Sequence, residues 1–457
     1  MTHQFDPTSL REYDIRGIVG KALGPADAVA IGRGFATHIR AAGGTRVAVG
    51  YDGRNSSPEL EAALVSGLTA GGVDVVRIGL STSPMLYYAE ATLEVDGGIQ
   101  VTGSHNPPEY NGFKMVHAHA PFFGEDIQDL AALAASGAWS EGASEVTTAD
   151  VLDAYVERLM AGYAGGAYRI GWDTGNGAAG PVIEKLVQLL PGEHHVIFAE
   201  VDGNFPNHHP DPTEESNLAD LKSLVAEKNL DFGLAFDGDG DRIGAIDGLG
   251  RVIWGDQILS ILVEPALREH PGAPIVADVK SSQALFDRIT ELGGKPVMAP
   301  TGHSLMKQAM TRTGAPLGAE LSGHLFFAGE YYGFDDAQYA AVRLIHAVHL
   351  SGRSLTKLRD AMPARVATPD LRFPVEDAQK FAVVDEVIAR LKSAGVDMDL
   401  TDGARVTTAD GWWLLRASNT QAMLTVRAEA KSEAALAVLL AEVDAQLAAS
   451  GVTRAAP

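Results

Sequence analysis

A chain of 457 residues, 46% hydrophobic and 21% charged, can bury an ample core, and its length implies roughly three domains of ordinary size. Its formal charge of −23 argues against nucleic acid, whose phosphates dominate such binding, and no apolar run approaches the ~20 residues that a bilayer demands. The absence of cysteine excludes disulfides, thiolate nucleophiles and cysteine-type zinc sites; with no secretory leader visible at the N-terminus, the expected location is the cytoplasm.

The chain opens on the polar cluster Arg11-Glu12-Tyr13-Asp14-Ile15-Arg16-Gly17, which taken alone reads as a solvated turn. The stretch from Arg46 to Arg54 reads as a strand and then a loop. Ser57-Pro58-Glu59 starts a helix, with the serine as N-cap and proline in the first turn, and that helix ends at Gly71-Gly72. Val73–Gly79 is the next strand. A short buried strand, Gly98-Ile99-Gln100-Val101, then runs into the tight loop Thr102-Gly103-Ser104-His105-Asn106-Pro107. Strands alternating with helices predict a parallel or mixed sheet covered on both faces.

The rhythm repeats twice. Tyr168–Gly175 begins a second round, with a helix at Gly180–Leu190, a strand at His195–Val201, and Leu230–Phe236 running into Asp237-Gly238-Asp239-Gly240-Asp241-Arg242. A third begins at Pro274–Ser282, continues through a strand at Lys295–Ala299, and reaches Thr301-Gly302-His303-Ser304 and Glu320-Leu321-Ser322-Gly323-His324. Each round opens on an apolar strand that ends in aspartate. Repeats of this size are whole domains rather than solenoid units. From residue 364 the pattern changes: a helix at Phe381–Ala394, paired strands at Gly411–Arg416 and Ala422–Arg427, and a closing helix at Ser432–Ala448 predict an α+β domain. The expected architecture is three similar α/β domains with mixed sheets plus a C-terminal α+β domain around one central cleft. The boundaries fall at 1–149, 150–250, 251–363 and 364–457.

Among candidate functional strings, the alternating aspartates of 237–241 speak most clearly. Three carboxylates separated by single glycines repel one another unless a cation holds them, and hard oxygen ligands select magnesium, calcium or manganese. An EF-hand fails, because loop positions six and twelve carry Arg242 and Gly248 where glycine and glutamate are required. Arg242 beside a metal loop suits a phosphate, and together with a serine loop this argues for phosphoryl transfer. The tip Arg416-Ala417-Ser418-Asn419-Thr420 combines one guanidinium with short hydrogen-bonding side chains and suits a second phosphate. His303 and His324 sit on strand-end loops, where an imidazole can shuttle a proton. No Walker-type loop, no dinucleotide fingerprint after the first strand and no Gly-x-Ser-x-Gly elbow is present, so nucleotide cradles and serine hydrolases are disfavoured; His105 is not made a base by adjacency alone.

Taken together, the serine loop, the acidic loop, Glu320-x-Ser322-Gly-His324 and the Arg416 tip occur in order on separate domains. The chain closely resembles the α-D-phosphohexomutase superfamily, and within it the bacterial phosphomannomutase/phosphoglucomutase group, over essentially its whole length, including Tyr13–Gly17 and Asn111-Gly112-Phe113-Lys114. The resemblance implies a four-domain enzyme that interconverts hexose 1-phosphate and hexose 6-phosphate, of mannose or glucose, through a phosphoserine and a 1,6-bisphosphate. It implies Ser104 as phosphoryl carrier and Asp237, Asp239, Asp241 and Ser104 as the Mg2+ site. Lys114, Arg16, His324 and Arg242 become the catalytic residues. Tyr13, Lys280, His303, Glu320, Ser322 and His324 bind the sugar, and Arg416, Ser418, Asn419 and Thr420 clamp the distal phosphate. Glucose or mannose 1,6-bisphosphate is the implied activator, hexose phosphates are the implied partners, and a monomer or weak homodimer is expected. The alternatives are a phosphoglucosamine mutase, whose members usually carry glutamine where this chain has Leu321, and a metal-dependent sugar-phosphate phosphatase or phosphotransferase.

Overall fold

The computed structural model of the chain describes residues 2–376, 378–419 and 421–453. Four sheets follow one another along it. In the first, strand Arg46–Tyr51 lies parallel to Asp74–Leu80 on one side and Gly97–Val101 on the other. Gly97–Val101 then pairs antiparallel with Tyr110–His117. The second sheet repeats the scheme: Phe232–Phe236 is parallel to Tyr168–Asp173 and antiparallel to Ile243–Asp247. So does the third, where Leu317–Ala319 is parallel to Pro274–Asp278 and antiparallel to Leu325–Phe327. The mixed sheets expected from sequence are present. In all three the critical loop is the turn at which a parallel strand hands over to an antiparallel one.

Burial explains why these strands read as continuous apolar runs. Gly97–Val101, Phe232–Phe236 and Leu317–Ala319 are buried at every position, as central strands covered on both faces are. One apolar core joins Met85 and Leu86 of helix Ser83–Thr92 to Trp172 and Phe236 of the second domain and to Phe327 of the third. Helix Ala337–Ser351 lies inside this core, buried at every residue from Ala337 to Val348, and is started by Asp336, whose side chain accepts from Tyr339 N.

The fourth sheet is antiparallel, ordered Val366–Ala367, Met423–Ala430, Gly411–Ala417, Ala404–Thr407 and Met398–Asp399, with Leu371–Pro374 also on Met423–Ala430. Helices Lys380–Ser393 and Glu433–Ala448 cover one face, where Trp413 and Leu415 pack. Trp412 and Leu414 point to the other face and meet Val279 of the third domain, so the strand is apolar on both sides.

Two local expectations need correcting. Ser57 does not cap its helix: Ser56 holds the N-cap position, without a side-chain bond to the helix backbone, and the Ser57 hydroxyl donates to Asp52 Oδ1 at 2.6 Å. The strand expected at His195–Val201 instead runs from Gly192 to Ile197, because its register is set by pairing Tyr168–Asp173 rather than by its own apolar content.

Candidate active site

The three hand-over turns meet. An isolated bridge joins Arg242 to His324, and Ile243 N donates to Gly323 O at 3.0 Å, so the second and third loops are stitched backbone to backbone. The first loop packs on the second without clearance: a Cβ at Gly238 would lie 2.5 Å from Ser104 O. The alternating glycines of the acidic loop thus serve close approach as well as spacing.

Ser104 has φ +50°, an uncommon conformation for a residue with a side chain. Its N–H donates to Thr102 Oγ1 at 2.8 Å, and Thr102 Oγ1 donates in turn to Asp52 Oδ2 at 2.8 Å. Ser104 Oγ is thereby directed at Asp237 Oδ2, 2.9 Å away, with His105 Nδ1 at 3.3 Å. Asp237 Oδ1 accepts from the N–H groups of Asp241 and Arg242. Burial, with Asp239 and Asp241 alongside, pushes the Asp237 carboxyl well above the ordinary range.

Lys114 comes from strand Tyr110–His117 and donates to Asp239 Oδ2 at 2.7 Å and to Asp241 Oδ2. Burial disfavours its charge, but the two carboxylates outweigh that and hold the ammonium well above its usual range. Ser83 Oγ donates to Asp239 Oδ2 at 2.6 Å. Carboxylate oxygens of Asp237, Asp239 and Asp241 all lie within 4.8 Å of one another, and Asp239 Oδ1 is buried without a hydrogen-bond partner. An orphaned anionic oxygen in an all-oxygen donor set fits a hard divalent cation.

His324 Nδ1 lies 2.9 Å from Glu320 Oε2 and 3.1 Å from Ser322 Oγ, while Nε2 lies 3.2 Å from Asp241 Oδ1. Burial works against the imidazolium, yet Asp241 and Glu320 lift it to about 9. The ring is therefore charged at neutral pH. Arg242 Nε is 3.3 Å from the same Nε2. His303 is held differently: burial lowers it well below the usual range, and its Nδ1 stands 3.9 Å from Asp335 Oδ2. Arg16 donates to Asn106 Oδ1 at 2.6 Å and pairs with Asp14, which holds it against the serine loop.

The remaining expected residues gather at the rim shared with the fourth domain. Lys280 Nζ lies 3.0 Å from Asp370, and Arg416 Nε donates to Asp402 Oδ2 at 2.8 Å. Gln421 N donates to Ser418 Oγ. Tyr13 OH donates to Thr301 O at 2.7 Å and accepts from Asn419 Nδ2 at 2.7 Å, linking the first, third and fourth domains. Thr420 lies outside the described residues.

Between these groups runs a cavity of about 1900 Å³, lined by Arg16, His105, Arg242, Lys280, His303, Glu320, Ser322, His324, Arg416 and Ser418 among others. Ser104, 1% exposed, and the three aspartates, fully buried, lie below its floor. Above Ser104 and the acidic loop the lining includes Arg16, Arg242 and His324, and beside the fourth domain it includes Lys280 and Arg416. Such a cavity can hold a molecule with an anionic group at each end.

Several contributing residues were not singled out from sequence. Asp52 and Asp278 are the strand-end aspartates, visible as a pattern but not as loop tethers. Asp278, lifted to about 6 by burial and by Glu320, accepts from Leu321 N at 3.2 Å and Ser281 Oγ at 2.7 Å. Arg54 was legible only as a charged residue after a strand. Ser83 carries no local signal, since its partner Asp239 is far away in the chain.

Family models described as phosphoglucomutase/phosphomannomutase alpha/beta/alpha domains I, II and III match residues 7–140, 153–250 and 254–366, and the model of the C-terminal domain matches 371–446. The chain belongs to the phosphoglucomutase/phosphomannomutase family. A phosphomannomutase/phosphoglucomutase of Pseudomonas aeruginosa is 41% identical over 429 residues, 93% of each chain. A phosphoglucomutase of Neisseria gonorrhoeae is 40% identical over 432 residues, covering 93% of this chain and 94% of its own. The crystal structure of a family protein from Burkholderia thailandensis superposes with a TM-score of 0.93 at 40% identity, over 99% of this chain and 98% of that one. Membership makes this chain a phosphohexomutase, an intramolecular phosphotransferase. These relatives do not favour the phosphoglucosamine or phosphatase alternatives.

Proposed function

We propose that the enzyme interconverts the 1-phosphates and 6-phosphates of glucose and mannose through a phosphorylated Ser104 and a hexose 1,6-bisphosphate. The observation that carries this reading is the convergence of Ser104 Oγ, Asp237 and the Lys114–Asp239–Asp241 cluster below one end of a cavity whose other end carries Arg416. The Pseudomonas aeruginosa relative is named for both activities, which supports both sugars.

Asp237, Asp239 and Asp241, with the oxygen on Ser104, are the residues that would hold Mg2+, and the orphaned Asp239 Oδ1 supports the fit. A bound Mg2+ would draw charge from the phosphoryl oxygens. The chain's own groups do the rest. A sugar hydroxyl attacks phosphorus and gives up its proton, the Ser104 Oγ–P bond breaks, and the serine oxygen takes up a proton in turn. His324, held charged between Asp241 and Glu320, is suited to supply a proton, while Lys114 and Arg16 offset developing negative charge. Glu320 and Ser322 read sugar hydroxyls; Arg416, Ser418 and Asn419 hold the phosphate that is not reacting, with Tyr13, Lys280 and His303 lining the space between. The bisphosphate then turns end for end, and its other phosphate returns to Ser104. The enzyme acts in the cytoplasm, as a monomer or weak homodimer.

A coupled assay on glucose 1-phosphate and mannose 1-phosphate with catalytic hexose 1,6-bisphosphate tests the reading. Ser104→Ala should abolish turnover of both; retained mutase activity would overturn the covalent route.

A further inference from the structure

The most thoroughly bonded cation near the serine loop lies outside the cavity. Arg54 has a fully buried side chain, and its guanidinium donates to five oxygens. Nη2 reaches Ser104 O and Asn106 O, both at 2.6 Å; Nη1 reaches Pro107 O at 2.6 Å and Tyr110 O at 3.0 Å; Nε reaches Asp52 Oδ2 at 3.1 Å. Three carbonyls of one irregular turn, and that of Tyr110 where the next strand begins, thus converge on one side chain. The guanidinium lies so close beneath the turn that a Cβ at Gly103 would stand 2.5 Å from its Cζ. On its other side it meets the ring of Phe205, 5.2 Å to the centroid, which belongs to the second domain.

A non-glycine residue with positive φ persists only where its surroundings over-determine it. The loop's own backbone bonds, Thr102 N to Gly112 O, Asn106 N to Gly103 O and Tyr110 N to Pro107 O, leave both backbone groups of Ser104 to other partners, and the Asp52–Arg54 pair supplies further constraint. Asp52 takes the N–H and hydroxyl donors of Gly103 and Thr102, while Arg54 takes the carbonyls. A carbonyl-binding fork of this kind needs the planar five-donor guanidinium; a lysine ammonium offers three donors from one point.

We propose that Arg54 is a positioning residue for phosphoryl transfer: from outside the cavity it holds the Ser104 loop in the conformation that directs Oγ at Asp237, and through Phe205 it ties that alignment to the second domain. This rests on the reading of Ser104 as phosphoryl carrier. Arg54 touches neither sugar nor phosphate, so its loss should act on the step at serine and leave substrate capture at the Arg416 end intact.

Arg54→Lys, with Mg2+ present, should lower kcat by about tenfold or more, because displacements near 1 Å at a reacting atom have effects up to ~100-fold, while KM for glucose 1-phosphate stays within about twofold. Intact-mass time courses of the phosphorylated enzyme should show Arg54→Lys passing its phosphate to glucose 1-phosphate more slowly than the wild type, with a longer phosphoserine lifetime. A lowered melting temperature with unchanged kcat per folded molecule and unchanged phosphoserine lifetime would overturn the proposal. Should Arg54→Lys not fold, Asp52→Asn, close in shape, removes the anchor of the same fork. The same split supports the proposal, and wild-type kcat and lifetime overturn it. A wild-type enzyme that never carries phosphate on Ser104 would instead remove the underlying reading and overturn both.

Discussion

Lys114 Nζ lies 2.7 Å from Asp239 Oδ2 and is bonded to Asp241 as well, so one ammonium is shared by two of the three buried carboxylates of the acidic loop and offsets one negative charge. Removing one partner of a buried ion pair costs about 3–5 kcal/mol, since it leaves the other charge uncompensated. Lys114→Met should therefore melt well below the wild type in chelator. Mg2+ should raise its melting temperature more than that of the wild type, since the carboxylates would then have no competing cation. Equal Mg2+-induced shifts in scanning calorimetry would contradict this.

Arg416 is held by Asp402, which also accepts from Thr301 N at 3.0 Å, so the tip is braced against the third domain. Arg416→Ala removes a charged donor worth about 1.5–3 kcal/mol, and KM for glucose 1-phosphate should rise about tenfold to a hundredfold. Steady-state kinetics with an unchanged KM would exclude Arg416 from the phosphate clamp.

Tyr13 lines the cavity at the junction of three domains and bonds across it through Thr301 O and Asn419 Nδ2. Tyr13→Phe keeps the ring but leaves both partners unmatched across that junction. Closure should weaken and the bisphosphate should escape before its second transfer, appearing as free hexose 1,6-bisphosphate in single-turnover experiments started from phosphoenzyme. No extra release relative to the wild type would show that this contact does not hold the cavity shut.

Asp336 is lifted to about 7 by burial, against the opposing bonds from Tyr339 N, Tyr155 and Tyr331. A carboxyl raised in the folded state binds its proton more tightly there than in the unfolded chain. Its effect on stability is nil below the ordinary carboxylate range, grows unfavourable as pH rises toward about 7, and is constant above that. Asp336→Asn keeps the cap on Tyr339 N without the charge. The melting temperature of Asp336→Asn relative to wild type should climb across that window and then level off. A difference independent of pH would show that Asp336 does not titrate there.

The candidate site was legible where chemistry is concentrated in adjacent residues. Asp237, Asp239 and Asp241 point to a cation site because three carboxylates at alternate positions repel one another, with a solvated acidic turn as the alternative, and Arg242 follows directly. Ser104 was ambiguous by itself and gained meaning from the other motifs. Ser83 was invisible, because its only distinction is a bond to Asp239 in another domain. The misplaced strand after Gly192 and the misassigned Ser57 cap share one cause: neighbours distant in sequence, Tyr168–Asp173 and Asp52, set the outcome.

The amino-acid sequence determined the alternation of strands and helices, the change of pattern in the C-terminal region, the acidic loop and the residue types at both ends of the cavity, because hydrophobic periodicity and local charge are properties of neighbouring residues. Only the tertiary structure decided that Lys114 sits between Asp239 and Asp241, that Tyr13 joins Thr301 to Asn419, and that Arg54 gathers the carbonyls of the serine loop. Those contacts are long-range, each depends on where separate sheets place their turns, and no window along the chain contains both partners.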